Sequence, residues 1–214
     1  MKRRVIATVL AALLPVAASA QTPKGATYIT DEQVKAINAG PGVDRQIVNV
    51  DIGKLNLAVG IIHRGRSGVP ATGAVAPAAA APAAAAAPVE PCGERMSTPP
   101  PAGTASGIAH DGQTETYIIV SGGGTLVTGG RIANGRKSAP ESAVTKVLNG
   151  PSCSGAIVGT DVVRQVVKTG DIIIIPAGVP HGWTDIADHV DYLSVRPDPD
   201  RVLAAGYVNP AIKK

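Results

Sequence analysis

Four histidines occur in this 214-residue chain, and two of them stand where their surroundings suit chemistry. His110 and Glu115 lie five positions apart in HDGQTE. The intervening Asp111-Gly112 is a turn signal, so the imidazole and the carboxylate can flank one corner of a β barrel. His181 closes the run GDIIIIPAGVPHGWTD, residues 170–185. Ile172 to Ile175 are β-branched and continuous, the pattern of a strand buried on both faces. Pro176 ends that strand because it has no N–H to give the ladder, and Gly178 permits the turn that follows. A histidine held rigidly beside a dry β core is placed to bind a metal or move a proton.

The elements that must position these residues read mostly as strands. Strands are expected over 46–51 and 55–63, then over 117–120, which Gly122-Gly123-Gly124 turns toward 125–127. Gly129-Gly130 reads as a turn, and Asn134-Gly135 resembles the hairpin signal. Short strands follow over 144–148, 162–167 and 192–196, the last closed by Pro197-Asp198-Pro199, and residues 201–214 form a helical or irregular tail. One helix is expected near the start, DEQVKAINAG. Thr30 and Gln33 form its capping box, Gly40 and Pro41 stop it, and Val34 and Ile37 give it one apolar edge.

The two chemistry-bearing segments resemble the two signature motifs of the cupin superfamily. His110, Glu115 and Gly122 reproduce the end of the first motif: a His, four spacers, a Glu, six spacers and a Gly. Gly170, Pro176, Gly178 and His181 match every position of the second, and Asp185 stands where the family often has Asn. The resemblance covers roughly the last half of the chain, and two motifs in the right order are far more specific than either alone. It implies an all-β fold, a double-stranded β-helix or small jelly-roll barrel. It also implies a divalent transition metal, iron, manganese, nickel or zinc, held by His110, Glu115 and His181. One position departs from the pattern. The family's first motif usually has a second histidine two residues before His110, and here that residue is Ile108. Three protein ligands would leave an open position for water or substrate, although loss of a ligand is equally what a metal-free cupin would show.

His63 offers a fourth donor. In KLNLAVGIIHR, Leu55, Leu57, Val59, Ile61 and His63 alternate with their neighbours, so period-two logic turns His63 inward with the aliphatic residues. A core or rim histidine bonded to a neighbour is the plainer reading. His189, in DHVDYLSV, reads as a surface or hydrogen-bonded residue. Tyr117, on the Glu115 face, and Trp183, just past His181, are candidates for pocket lining or for simple packing.

The ends and the composition set the compartment. Residues 1–20 have the form of a secretory leader: Lys2, Arg3 and Arg4, an apolar stretch, then Ala18-Ser19-Ala20 before Gln21. The apolar stretch is short and broken by Pro15, so no membrane span is expected after cleavage. Loss of the leader lowers the formal charge from +4 to +1, which gives no case for nucleic-acid binding. In a periplasmic or secreted protein, Cys92 and Cys153 are expected to form a disulfide. Phe is absent and Trp occurs once, so the core must be packed with Val, Ile, Leu and Ala. Five segments result: the leader, a helix with the first barrel strands (21–68), a disordered Ala/Pro-rich insertion (69–91), the main barrel (92–200) and a tail (201–214). In that insertion Pro77, Pro82 and Pro88 recur too closely for a helix to propagate.

Two functional classes remain open on these grounds. One is a metal-dependent enzyme of the dioxygenase, isomerase or lyase type, acting on a small organic molecule. The other is a barrel, monomeric or homodimeric, that captures a small ligand without metal or turnover; a structural barrel with relic motifs is a third reading.

Overall fold

The computed structural model describes residues 25–67 and 90–213. The leader, and all but the last two residues of the Ala/Pro-rich stretch, lie outside them. The first element is helix α1, Asp31–Asn38, and its capping box is complete: the Thr30 side chain accepts from the Gln33 N–H while Gln33 reaches back to the Thr30 N–H. Ile37 is buried against Ile47, Val48 and Ile61, with Val34 packed beside them, so the helix lays one apolar edge on the sheet as its spacing predicts.

The three side chains of the candidate site all stand on strands. β1 (Asp44–Asp51) pairs with β2 (Asn56–Gly65), β2 with β11 (His189–Asp198), and β11 with the first half of β5 (Glu115–Thr128), whose other edge takes β9 (Ile172–Ile175). This is one antiparallel sheet. The second half of β5 pairs with β8 (Val163–Lys168) and β10 (His181–Thr184). β10 continues to β4 (Ser106–His110), β4 to β7 (Ser152–Val158), β7 to β6 (Arg131–Lys137) and β6 to β3 (Pro91–Cys92). Two antiparallel sheets sharing a strand and enclosing a common interior make the double-stranded β-helix that the motifs imply. Tyr117, Ile119, Leu126, Val167, Ile175, Ile186, Val190 and Tyr192 fill the core between them.

Several local expectations are corrected. Ile172–Ile175 is not buried on both faces: β9 pairs only with β5 at the edge of its sheet, and Ile172 and Ile174 are 65% and 69% exposed. Gly122, Gly123 and Gly124 do not end a strand. They lie inside β5, where it passes from one sheet to the other, and a Cβ on each would strike neighbouring strands or Ile186. Asn134-Gly135 is no hairpin but part of a bulge in β6, where the register against β7 shifts between Ala133 and Arg136. A Cβ on Gly135 would lie 2.7 Å from the Cys153 sulfur. Residues 144–148 form a π-helical turn, Val144–Leu148, and not a strand. The tail is neither helical nor wholly irregular, since Tyr207–Val208 adds a two-residue strand, β12, to β1.

Cys92 and Cys153 form the expected disulfide, which ties β3 to β7. Among the described residues, no helix is long and apolar enough to cross a membrane.

Candidate metal centre

His110 ends β4, Glu115 begins β5 and His181 begins β10, so three strand ends bring the three side chains to one point inside the barrel. All are at most 3% exposed, and one ligand atom from each lies within 4.8 Å of the other two. Strands β4 and β10 approach closely because Gly107 and Gly182 face each other's backbone. A Cβ on Gly107 would run into the His181 carbonyl, and one on Gly182 into the Ser106 carbonyl.

The hydrogen bonds around the cluster fix which atoms face its centre. His181 Nδ1 is 3.0 Å from the Val179 carbonyl oxygen. A carbonyl can only accept, so Nδ1 carries the proton and, in the neutral ring, Nε2 presents a lone pair. His110 follows the same logic. Ser152 gives its hydroxyl hydrogen to the Gly150 carbonyl, so its oxygen accepts from His110 Nδ1 at 2.9 Å, and His110 Nε2 is left as the acceptor. Both Nε2 atoms then face the same carboxylate oxygen, Glu115 Oε2, at 3.1 Å and 3.0 Å. Among the described residues, His181 Nε2 has no hydrogen-bond partner despite its burial. The His181 lone pair thus faces a carboxylate oxygen with no donor between them, an opposition that a cation beside both would relieve. Two imidazole nitrogens and one carboxylate oxygen are a donor set that divalent iron, manganese, nickel and zinc accept. The residues therefore fit a metal.

The surrounding groups hold that set in place. Glu115 Oε1 accepts from Ser194 Oγ at 2.8 Å and from Arg196 Nε at 2.7 Å, and Tyr117 donates its hydroxyl to Oε2 at 2.8 Å. Asn149 Nδ2 approaches His110 Nε2 at 3.2 Å. Burial alone would raise the Glu115 carboxyl, but the Arg196 guanidinium beside it holds it well below the usual carboxylate range. Burial pushes His110 down, outweighing the attraction of the nearby Glu115 charge, so the ring stays neutral and ready to ligate. Burial and the adjacent carboxylate push the Tyr117 phenol well above its ordinary value.

The remaining candidates fall elsewhere. His63 does not point inward. Its side chain is 42% exposed on the outer face of β2 and bonds Asp191 at 2.6 Å, because the row it shares with Val59 and Ile61 packs under helix α1 while Ile62 faces the barrel interior. His189 is likewise on the outside, as expected. Trp183 stands one layer behind the cluster, donating to the Tyr192 hydroxyl at 3.2 Å. Ile108 pairs directly with His181 across β4 and β10, so the position of the missing family histidine does adjoin the site. Arg196 was not singled out by the sequence reading. Its signal was the strict alternation of β11, in which Val190, Tyr192, Ser194, Arg196 and Asp198 all face inward.

The fold is a double-stranded β-helix. No family model and no curated protein matches the sequence. Among solved structures, an uncharacterised conserved protein with a double-stranded β-helix domain from Klebsiella pneumoniae is similar at 16% identity, TM-score 0.36, over 83% of this chain and 94% of that one. A DMSP lyase from Ruegeria pomeroyi is similar at 9% identity, TM-score 0.35, over 90% of this chain and 84% of that one. A putative mannose-6-phosphate isomerase from Ralstonia eutropha follows at 14% identity, TM-score 0.31, over 82% and 99%. The cupin reading rests on this chain's own motif residues and on their convergence in the barrel.

Proposed function

We propose that the barrel is an exported metal-dependent enzyme for a small organic molecule, with one divalent transition metal held by His110, Glu115 and His181. The observation that carries this is the orphaned, buried Nε2 of His181 beside Glu115 Oε2. A bound divalent metal supplies Lewis acidity and open coordination positions for a small molecule. The chain's own groups do the rest. Arg196 and Ser194 orient the Glu115 carboxylate, Ser152 and the Val179 carbonyl set the two imidazole tautomers, and the Tyr117 hydroxyl holds a proton at the cluster. The disulfide and the leader-like N-terminus support an oxidising compartment, the periplasm or the exterior.

A second reading, a metal-free barrel that captures a small ligand, draws on the Arg196–Glu115 pair, which neutralises the carboxylate without a metal. Elemental analysis of purified protein, followed by titration of the chelated protein with manganese, iron, nickel and zinc, separates the two. Near-stoichiometric metal that is lost in His181→Ala supports the enzyme. Failure of every metal to bind transfers the site to the second reading.

A further inference from the structure

The outer face of the barrel carries a second set of chemically competent side chains, contributed by adjacent strands of one sheet. Ser121 Oγ lies 2.8 Å from His189 Nε2. His189 Nδ1 lies 2.7 Å from Asp188 Oδ2. A hydroxyl, an imidazole and a carboxylate joined in that order are the arrangement that activates a serine oxygen: the base takes the hydroxyl proton, and the carboxylate fixes its tautomer. The carboxylate accepts from Nδ1, so Nε2 is the basic nitrogen and points at Ser121.

The backbone is shaped to make this contact. The inward row of β5 runs Glu115, Tyr117, Ile119, which would place Ser121 inside the barrel. Instead the register against β11 jumps from Ser121↔Asp191 to Ile119↔Tyr192, leaving Val120 as an extra residue that is 42% exposed. This bulge reverses the alternation, turns Ser121 outward and puts Gly124 and Leu126 into the inward row. Gly122 follows with φ 67°, and a Cβ there would meet the His189 carbonyl and lie 3.1 Å from the ring carbon Cδ2. The absent side chain lets His189 close on Ser121. On the other side, His63 stacks on His189 with ring centroids 6.1 Å apart and is itself held by Asp191.

We propose that Ser121, His189 and Asp188 form an acyl-transfer site, separate from the barrel interior, for small carboxylic esters with good leaving groups. The restriction follows from exposure. Asp188 is 85% exposed and His189 33%, so the relay is solvated and activates the hydroxyl only modestly. Ser121 Oγ attacks the ester carbonyl carbon, forming a new C–O bond while its proton passes to His189 Nε2. Breaking the original ester bond releases the leaving alcohol, which takes that proton. Water, deprotonated by His189, then cleaves the acyl-serine to give the carboxylic acid and restore Ser121.

The test uses the full chain, chelated with EDTA so that no barrel metal contributes, with p-nitrophenyl acetate as the probe. The expected result is an acetyl group mapped to Ser121 by peptide mass spectrometry. Nitrophenol release should fall on the order of tenfold or more in Ser121→Ala and in His189→Gln, and by a smaller factor in the surface change Asp188→Asn. Circular dichroism checks the fold of each variant. If His189→Gln does not fold, Ser121→Ala decides alone, since it removes only an oxygen. Acetyl groups confined to lysine or histidine, or an undiminished rate in folded Ser121→Ala, would overturn the proposal.

Discussion

Arg196 and Glu115, 81 residues apart in sequence, meet as a buried ion pair with Nε 2.7 Å from Oε1. The same guanidinium reaches Asp44 at 2.6 Å, Gln46 at 3.2 Å and the Leu148 carbonyl at 2.9 Å. One fully buried cation thus serves two carboxylates, and this fixes the direction from which Glu115 enters the cluster. Arg196→Met should leave the buried Glu115 and the partly buried Asp44 without their cation, at a cost of about 3–5 kcal/mol. Urea denaturation measures this, and the metal affinity of any folded fraction should drop with it.

His63→Ala should leave metal content unchanged, because that ring faces solvent and Asp191. Elemental analysis of this variant beside His110→Ala, which should lose its metal, checks the three-ligand assignment directly.

Acid should destabilise the chelated protein in two stages. The folded His110 value lies below its ordinary 6.5, so the unfolded chain binds the proton first and stability begins to fall as pH drops past about that value. Glu115, held below its ordinary 4.5, adds a second loss as pH falls from there toward its folded value. Above both ordinary values the full stabilisation is present. Melting temperatures from pH 8 to pH 3.5 should show both declines; constant stability from pH 8 to pH 5 would contradict the His110 assignment.

The Cys92–Cys153 bridge spans 61 positions. A loop of that length stabilises by about 4 kcal/mol in the chain-entropy model. Reduction should lower the melting temperature markedly, and thiol titration of denatured, unreduced protein should find no free cysteine.

Gly107→Ala should cost about 1–3 kcal/mol by overpacking, since the new methyl must displace the His181 backbone or Ile157. Because that displacement moves a ligand strand, metal affinity should weaken beyond what the stability loss alone accounts for.

Much of the site was legible because motif spacing in a β barrel is set by strand ends, and Pro176, Gly178 and the Asp111-Gly112 turn mark those ends in sequence. The Thr30 cap was legible for a similar reason, since its partners are three residues apart. The failures arise where tertiary context overrides a local signal. Four isoleucines look alike in a central strand and at an edge, and only the neighbour strands distinguish them. Gly122 to Gly124 read as a turn by composition, whereas their missing side chains make room for His189, Val167 and Ile186 along one continuous strand. His63 shares a face with Val59 and Ile61 as period-two logic says, but that apolar face packs under helix α1 instead of facing the barrel interior, which only tertiary context reveals. Arg196 was passed over although its inward phase could be counted from Val190 and Tyr192, because an arginine at a core position reads as an exception until its partners, Asp44 and Glu115, are seen.

The sharing of β5 between both sheets has a consequence for how the molecule comes apart. With β9 and β11 on one half and β8 and β10 on the other, neither sheet can peel away without breaking the strand that completes its neighbour. Partial opening is therefore confined to the edge strands β12, β3, β8 and β9. The amides of β2, β10 and β11 should exchange with solvent only through a single all-or-none event, as members of one foldon.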